Sequence, residues 1–152
     1  MICVVQRVMN ATVAVSGKLV GQIGPGLAVL AAVHRDDTAA DIQWTAQKLV
    51  TLRIFRSAGG EKHFDLDVKQ SGGSILLVSN FTVAGATRYG RRPSLDAAAS
   101  PEDGRRLFDE LVKAVTATGI PVATGEFGAD MLVNIANDGP VTFLLDSREA
   151  RA

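Results

Sequence analysis

The sequence predicts an α/β fold: a single domain over residues 1–152, in which a curled, mostly antiparallel β-sheet or barrel carries two long helices packed outside. Two observations lead to this prediction. Short β-branched or apolar runs recur along most of the chain, and only two segments place apolar residues at helical spacing. The composition suits one ordinary globular domain, with 47% hydrophobic and 21% charged residues.

Strands are predicted for the N-terminal part of the chain, which is rich in β-branched residues. Turns are predicted at Asn10 and at Ser16-Gly17, and the sequence Gly24-Pro25-Gly26 interrupts the pattern. The run after this break is apolar throughout, which is typical of a strand buried on both faces. The predicted strands cover residues 2–8, 12–15, 19–23 and 27–33.

Both predicted helices have capping residues at their starts. The first begins within residues 36–38, which are all N-cap candidates, and its apolar positions recur at helical spacing from residue 42 to residue 54. The second has Ser100 as its N-cap and Pro101 at its first helical position. Gly119 is predicted to end the second helix.

Loops and further strands are predicted between and after the helices. Residues 57–60 and 84–99 form loops, and residues 75–83 form a buried strand between them. The sequence Asn137-Asp138-Gly139 separates two apolar runs and is a hairpin signal. The strands predicted to close the chain cover residues 121–124, 131–136 and 141–145.

Charge and cysteine content narrow the class of protein. The 16 basic and 16 acidic residues balance, so a nucleic-acid partner needs a local basic patch, and no DNA partner is expected. Cys3 is the single cysteine, which excludes an internal disulfide, and its apolar neighbours predict a buried residue. No signal peptide and no apolar run of about 18 residues is found, which predicts a cytoplasmic protein without membrane contact.

Sequence motifs for metal and nucleophile chemistry are missing. There is no GxxxxGK phosphate loop, no CxxC pair, no HExxH and no GxSxG elbow. The two histidines, His34 and His63, lie far apart and are predicted to be surface or loop residues. We therefore expect no metal site and no cofactor.

Two polar segments are candidates for a site. The first, residues 79–83, puts two hydroxyls and an amide at the end of an apolar strand, and it is either a strand edge or part of a site. The second is a loop that combines Tyr89 with three arginines, and it is either a solvated basic loop or a contact with RNA phosphates. The three arginines are Arg88, Arg91 and Arg92.

Seven segments, in order along nearly the whole chain, resemble the D-aminoacyl-tRNA deacylase family, the hydrolases that remove D-amino acids from tRNA. The ordered set is far more specific than any one of its members. The matching segments are QRV at 6–8, GQIGPGL at 21–27, LRIF at 52–55, SNFTV at 79–83, RPS at 92–94, TGEFGADM at 124–131 and NDGPVT at 137–142.

The resemblance implies a cofactor-free enzyme that cleaves the ester of D-aminoacyl-tRNA to free D-amino acid and tRNA. The implied catalytic residues are Ser79, Asn80, Phe81 and Thr82. The implied substrate and tRNA contacts are Phe127, Gly128, Ala129, Met131, Asn137, Arg88, Arg91 and Arg92. In the family, a cis Gly-Pro peptide from the partner subunit of a homodimer excludes L side chains, and here it corresponds to Gly139 and Pro140. Glycyl-tRNA, which has no side chain to exclude, is expected to be cleaved as well.

The chain departs from the family at two places. Where the family has Ser-Gln-Phe-Thr-Leu, this chain has Asn80 in place of the glutamine. The shorter side chain reduces the reach of the amide by about 1.5 Å. The sequence His63-Phe64-Asp65 stands where the family usually has Lys-Met-Asn. Both differences concern details of the pocket and leave the predicted fold unchanged.

Catalysis assisted by the RNA is the mechanism that the resemblance implies. The ribose hydroxyl beside the ester orients the attacking water, and the backbone around Phe81 and Thr82 stabilises the oxyanion. One alternative makes the Thr82 hydroxyl a nucleophile, although an unactivated threonine without a base is a poor one. The other alternative is a module on the same fold that binds RNA or a nucleotide without turning it over.

Overall fold

The computed structural model of the chain describes residues 1–151, with side chains to residue 150. It consists of one mixed six-stranded sheet and two long helices, which confirms the predicted α/β fold of a curled sheet with two helices outside it. Short 3-10 turns follow β4 and β6. The elements are β1 (Ile2–Val15), β2 (Lys18–Ile23), β3 (Gly26–Ala32), α1 (Ala39–Thr51), β4 (Ser74–Ser79), α2 (Pro101–Thr116), β5 (Val122–Thr124) and β6 (Met131–Asp146), with the 3-10 turns at Phe81–Ala84 and Ser147–Arg151.

Strand β1 organises the sheet because it pairs with three other strands. It runs antiparallel to β2 and β3 on one side and to β6 on the other, whereas β3, β4 and β5 are mutually parallel. The sheet curls until its far strands meet, since a Cβ added to Gly21 of β2 would clash with the carbonyl oxygen of Thr124 in β5. The result is a nearly closed barrel.

The central strands are buried on both faces, as their continuous apolar sequence predicts. Leu27 and Leu77 pack towards the two helices, and Ala28 and Leu76 pack into the barrel interior. Parallel strands covered on both faces have this composition because neither face meets water. The sheet therefore separates two apolar clusters, one beneath the helices and one inside the barrel.

Bulges let one pair of long strands serve both clusters. In β1, Val5 faces the helices, whereas Val8 and Val13 face the barrel interior, and the pairing with β6 shifts register on either side of Val8. In β6, residues 138–141 stand between the partners of Val8 and Gln6, although β1 has a single residue at that place. The extra residues form a bulge that stands out from β6.

Three local predictions are wrong. Asn10 is not a turn, because β1 continues through it, and the predicted hairpin at residues 137–139 is the bulge of a continuous β6. The strand predicted for residues 75–83 ends at Ser79, and a 3-10 turn follows. The predicted turn at Ser16-Gly17 is confirmed, with φ angles of 48° and 77° that suit a tight two-residue hairpin.

The helices pack side by side over one face of the sheet. Thr38 caps α1, and both its N–H and its hydroxyl donate to Asp41 Oδ2 at 2.8 Å. Ser100 caps α2 and accepts from the Asp103 N–H at 3.2 Å, with Pro101 in the first helical position as predicted. Within residues 1–151, neither helix is long and apolar enough to span a bilayer.

Candidate functional site

A cavity of about 620 Å³ opens where the barrel interior meets the start of α2 and the loop between β5 and β6. A pocket of this size can enclose a small molecule or the end of a larger one. Its floor is apolar and is built by barrel-facing residues of three strands, including Leu30, Val78 and Val133. Polar side chains are few: Ser79 and Asn80 lie where β4 ends, and Ser100 lies at the start of α2.

The cavity brings together seven of the predicted site residues. These come from two segments far apart in sequence, one at the end of β4 and one that leads into β6. The seven are Ser79, Asn80, Phe81, Phe127, Gly128, Ala129 and Met131. The other predicted residues lie outside the cavity wall: Thr82, Arg88, Arg91, Arg92, Asn137, Gly139 and Pro140.

The end of β4 turns sharply because of Asn80. The Asn80 N–H continues the sheet by donating to the Ala31 carbonyl at 2.8 Å. The Asn80 side-chain oxygen then accepts from the Thr82 N–H at 3.2 Å and from the Thr82 hydroxyl at 2.5 Å. A backbone N–H can only donate, so it is the amide oxygen that faces Thr82, and the hydroxyl must point its proton at that oxygen.

The same turn leaves the N–H of Phe81 unused, and Phe81 lines the cavity. The Phe81 N–H precedes the first hydrogen bond of the 3-10 turn and has no acceptor within it. The Phe81 side chain itself is 57% exposed at the cavity rim. The arrangement offers a donor and an aromatic surface rather than a nucleophile with a base.

The segment of Gly139 and Pro140 stands on the bulge of β6, and the peptide bond between them is cis. Both residues are exposed. Asn137 closes the bulge: its Oδ1 accepts from the Val141 N–H at 2.8 Å, and its Nδ2 donates to the Val141 carbonyl at 3.2 Å. A second bond from Nδ2 reaches the Thr142 hydroxyl at 3.1 Å.

Arg7 supports this bulge from below, and the sequence did not single it out as a site residue. Its side chain is 3% exposed, and its Nη1 donates to the Ile54 carbonyl at 2.7 Å. Its Nε contacts both the carbonyl and the carboxylate of Asp138, at 3.2 and 3.1 Å. Arg56 pairs with the same carboxylate at 3.0 Å. The one available signal was that Arg7 is the single charged residue of β1.

The arginine loop remains a surface feature. Arg88, Arg91 and Arg92 are exposed, and the Arg88 guanidinium lies 5.3 Å from the centre of the Tyr89 ring. Within residues 1–150 none of the three forms an ion pair. Three unpaired guanidinium groups on one loop are available to an anionic partner.

The histidines and the cysteine lie outside the cavity. His34 lies in the connection between β3 and α1, as predicted, but it is buried there rather than at the surface: it is 7% exposed, and its Nδ1 accepts from the Asp36 N–H at 3.2 Å. His63 is exposed in a loop, as predicted. Cys3 is fully buried, as predicted, and burial raises the pKa of its thiol to about 12. No group of three metal-ligating side chains is found in the described chain.

Comparison with known proteins identifies the family of the chain. The model of the D-Tyr-tRNA(Tyr) deacylase family matches residues 4–146. D-aminoacyl-tRNA deacylase of Pelobacter propionicus is 50% identical over 143 residues, covering 94% of this chain and 97% of that protein. D-aminoacyl-tRNA deacylase of Geobacter sulfurreducens is 51% identical over 145 residues, covering 95% and 94%.

Solved structures agree with the sequence relatives. The c-Myc DNA Unwinding Element Binding Protein superposes with a TM-score of 0.91 at 34% identity, covering 96% of this chain and 98% of that one. A probable eukaryotic D-amino acid tRNA deacylase superposes with a TM-score of 0.78 at 18% identity, covering 95% and 97%, which shows the shared fold. The family resemblance seen in the sequence is confirmed, and the chain belongs to the D-Tyr-tRNA(Tyr) deacylase family of hydrolases.

Proposed function

We propose that this deacylase binds the aminoacylated end of tRNA in the cavity and releases D-amino acids while excluding L-amino acids with a segment of the partner subunit. Family membership over residues 4–146 makes the chain a D-aminoacyl-tRNA deacylase. The observation that carries the assignment of the site is the meeting of residues 79–81 with residues 127–131 around one cavity. Two segments so far apart in sequence supply its polar end and its aromatic wall.

Hydrolysis needs a donor for the developing oxyanion, and the turn after β4 supports a single candidate. The Thr82 N–H is engaged by the Asn80 side chain, so the Phe81 N–H is the donor left for the ester carbonyl. Donors fixed in place before the reaction stabilise an oxyanion without reorganisation. The hydroxyl beside the ester on the terminal ribose then orients the attacking water, so that the RNA assists its own hydrolysis.

The geometry of Thr82 argues against the alternative in which it is the nucleophile. Its hydroxyl proton points at a neutral amide oxygen, which cannot accept that proton as a base would. Thr82 is also exposed and lies outside the cavity wall. We therefore assign Thr82 to holding the turn rather than to attacking the ester.

Exclusion of L side chains is assigned to the carbonyl groups of Gly139 and Pro140. On their own subunit these residues are exposed and lie away from the cavity, which suits an obstacle that acts on another subunit. Asn137 and Arg7 fix the bulge beneath them. A rigid obstacle rejects one configuration without a separate pocket for each D side chain.

The free edge of β6 is a suitable surface for the homodimer that this mechanism requires. Within the described residues β6 pairs with β1 alone, so its other edge is free, and a free strand edge can pair with a strand of another chain. Leu132 and Leu144 on the same strand are 67% and 73% exposed. A symmetric dimer through this strand would cover both and carry each bulge towards its partner.

Four further properties belong to the proposal. Glycyl-tRNA passes the filter because glycine has no side chain for the obstacle to meet. The arginines at 88, 91 and 92 contact tRNA phosphates. The reaction needs no metal or cofactor, and a cytoplasmic location, where charged tRNA is found, stays a prediction.

The experiment that tests the proposal measures release of amino acid from D-tyrosyl-, L-tyrosyl- and glycyl-tRNA by the purified protein in the presence of EDTA. We expect release from the D-tyrosyl and glycyl substrates and none above background from the L-tyrosyl substrate. Binding of all three without release would identify a binding module and contradict the proposal. Equal release from D- and L-tyrosyl-tRNA would contradict the chiral filter alone.

A further inference from the structure

The aromatic wall of the cavity is held from outside by a residue of α2. The Arg105 guanidinium lies 4.7 Å from the centre of the Phe127 ring, and its Nη2 donates to the Phe127 carbonyl at 3.2 Å. The Arg105 side chain thus contacts both the ring and the backbone of Phe127, which lines the cavity. We propose that Arg105 is a positioning residue of the substrate pocket, which fixes Phe127 as its wall.

The loop that carries Phe127 needs such an anchor. Glycines stand on either side of it at 125 and 128, and Gly128 has a φ of +80°, so the backbone here is intrinsically permissive. A single local hydrogen bond, from the Ala129 N–H to the Glu126 carbonyl at 3.2 Å, closes its turn. The contact to Arg105 ties this loop to a 16-residue helix.

The rest of α2 shapes the contact. A Cβ added to Gly104 would lie 3.4 Å from the tip of the Phe127 ring, so the ring packs close to this turn of α2. The Phe108 ring lies 6.1 Å from that of Phe127 at 49°. Phe108 supports the ring from the core, and Arg105 covers it from the solvent side. A cation over an aromatic face is attractive through the ring quadrupole.

The expected consequence concerns binding rather than the chemical step, and it rests on the proposed function of the cavity. Phe127 lines the same cavity as Phe81, whose N–H is the proposed oxyanion donor. A displaced wall weakens the fit of the substrate equally in the ground state and the transition state. Loss of Arg105 therefore raises KM for D-aminoacyl-tRNA and leaves kcat nearly unchanged.

Kinetic comparison of Arg105→Gln with Arg106→Gln tests this. Arg106 is the adjacent exposed arginine of the same helix, but it pairs with Asp103 and Glu110 instead of Phe127, so it controls for charge and for helix stability. We expect Arg105→Gln to raise KM about three- to tenfold and Arg106→Gln to leave it within about twofold. Arg105→Lys, which keeps the charge without the planar stack, should fall between them.

A double variant and a substrate-free measurement separate positioning from other roles. In the background of Phe127→Leu, Arg105→Gln should add no further increase in KM, because its target is gone. In a Trp44→Phe, Phe127→Trp protein, Arg105→Gln should increase acrylamide quenching of the single tryptophan, whereas Arg106→Gln should not.

Equal KM for the two arginine variants, additive effects with Phe127→Leu, or unchanged quenching would each overturn the positioning role. The quenching experiment involves no substrate. It therefore tests the contact even if the wild-type protein releases no amino acid, an outcome that would contradict the proposed function instead.

Discussion

At the scale of single residues, Arg7 is a charged side chain that is almost completely buried. Such a charge is tolerated when its donors are satisfied and a carboxylate lies close, and Arg7 meets both conditions through Ile54 and Asp138. Its partners are the backbone and side chain at the base of the β6 bulge. The residue therefore links the stability of the fold to the position of Gly139 and Pro140.

Replacing Arg7 by methionine should lower the free energy of unfolding by about 1–3 kcal/mol, because the buried Ile54 carbonyl loses its donor while Asp138 keeps Arg56 as a partner. Arg56→Gln removes the second cation from the same carboxylate, but Arg56 is 43% exposed, so its loss should cost at most about 1 kcal/mol. Urea denaturation of both variants measures the difference. Equal destabilisation would show that burial of Arg7 contributes nothing to its pairing.

Thr82→Val removes a hydroxyl that we assign to the turn rather than to attack on the ester. The expected loss of activity is about tenfold or less, since the RNA-assisted route keeps its water and its donor. Removal of a true nucleophile costs several orders of magnitude in kcat. Single-turnover hydrolysis of D-tyrosyl-tRNA distinguishes the two, and a correctly folded variant with so large a loss would restore Thr82 as the nucleophile.

Sequence information at the residue scale identified seven residues of the cavity wall, fewer than half of it, and only through the family resemblance. Spacing and composition marked residues 79–83 as polar and left two interpretations open. Neither Arg7 nor Arg105 was singled out, because each acts on a segment more than 20 residues away, and no local pattern encodes such an interaction. The burial of His34 could not be predicted for the same reason, since His34 pairs with Ala98, more than 60 residues away.

At the scale of elements, the pairing of β6 explains why the hairpin predicted at residues 137–139 does not form. Asn-Asp-Gly favours a hairpin when the flanking strands pair with each other. Here both flanking runs pair with β1, so the strand continues and the extra residues form a bulge. The prediction for the end of β4 was also wrong. Phe, Thr and Val are good strand formers, but the Asn80 side chain caps a 3-10 turn at that point. Apolar runs with distinct capping residues were located well, because their signal is local.

Gly139→Ala tests the bulge as the chiral filter. The Gly139 φ of +139° is unfavourable for alanine, and the added Cβ would lie 2.6 Å from Val141 Cγ2 and 2.9 Å from the Val141 nitrogen. The backbone must shift, which moves the carbonyl proposed to exclude L side chains. The ratio of D- to L-tyrosyl-tRNA hydrolysis should therefore fall.

Gly24→Ala is the matched control for this substitution. Gly24 is exposed, and an added Cβ there meets no atom within 4 Å, so this variant should keep the wild-type ratio. Hydrolysis of both substrates by the two variants is measured beside their thermal unfolding. A stable Gly139→Ala protein with an unchanged ratio would place the filter elsewhere.

At the scale of the whole molecule, zero net charge leaves binding of tRNA to local patches. Reversing the charges of Arg91 and Arg92 together should raise KM for D-tyrosyl-tRNA. It should also flatten the dependence of log KM on log salt, by up to about 0.9 for each phosphate that the variant no longer neutralises. Steady-state kinetics from low to moderate salt provide the measurement. An unchanged KM and slope would place the RNA-binding surface elsewhere on the protein.

Completion of each cavity by the partner's Gly139 and Pro140 is tested most directly with mixed dimers. Gly139→Ala subunits are combined with subunits whose cavity is blocked by Ala129→Trp and whose bulge is intact. Ala129→Trp alone must first be shown to be inactive. In the mixed dimer the one open cavity faces an unaltered bulge. We predict that L-tyrosyl-tRNA hydrolysis per open cavity falls towards the wild-type level, while D-tyrosyl-tRNA hydrolysis is retained. L-substrate hydrolysis that stays as high per open cavity as in the Gly139→Ala homodimer would contradict a filter supplied by the partner.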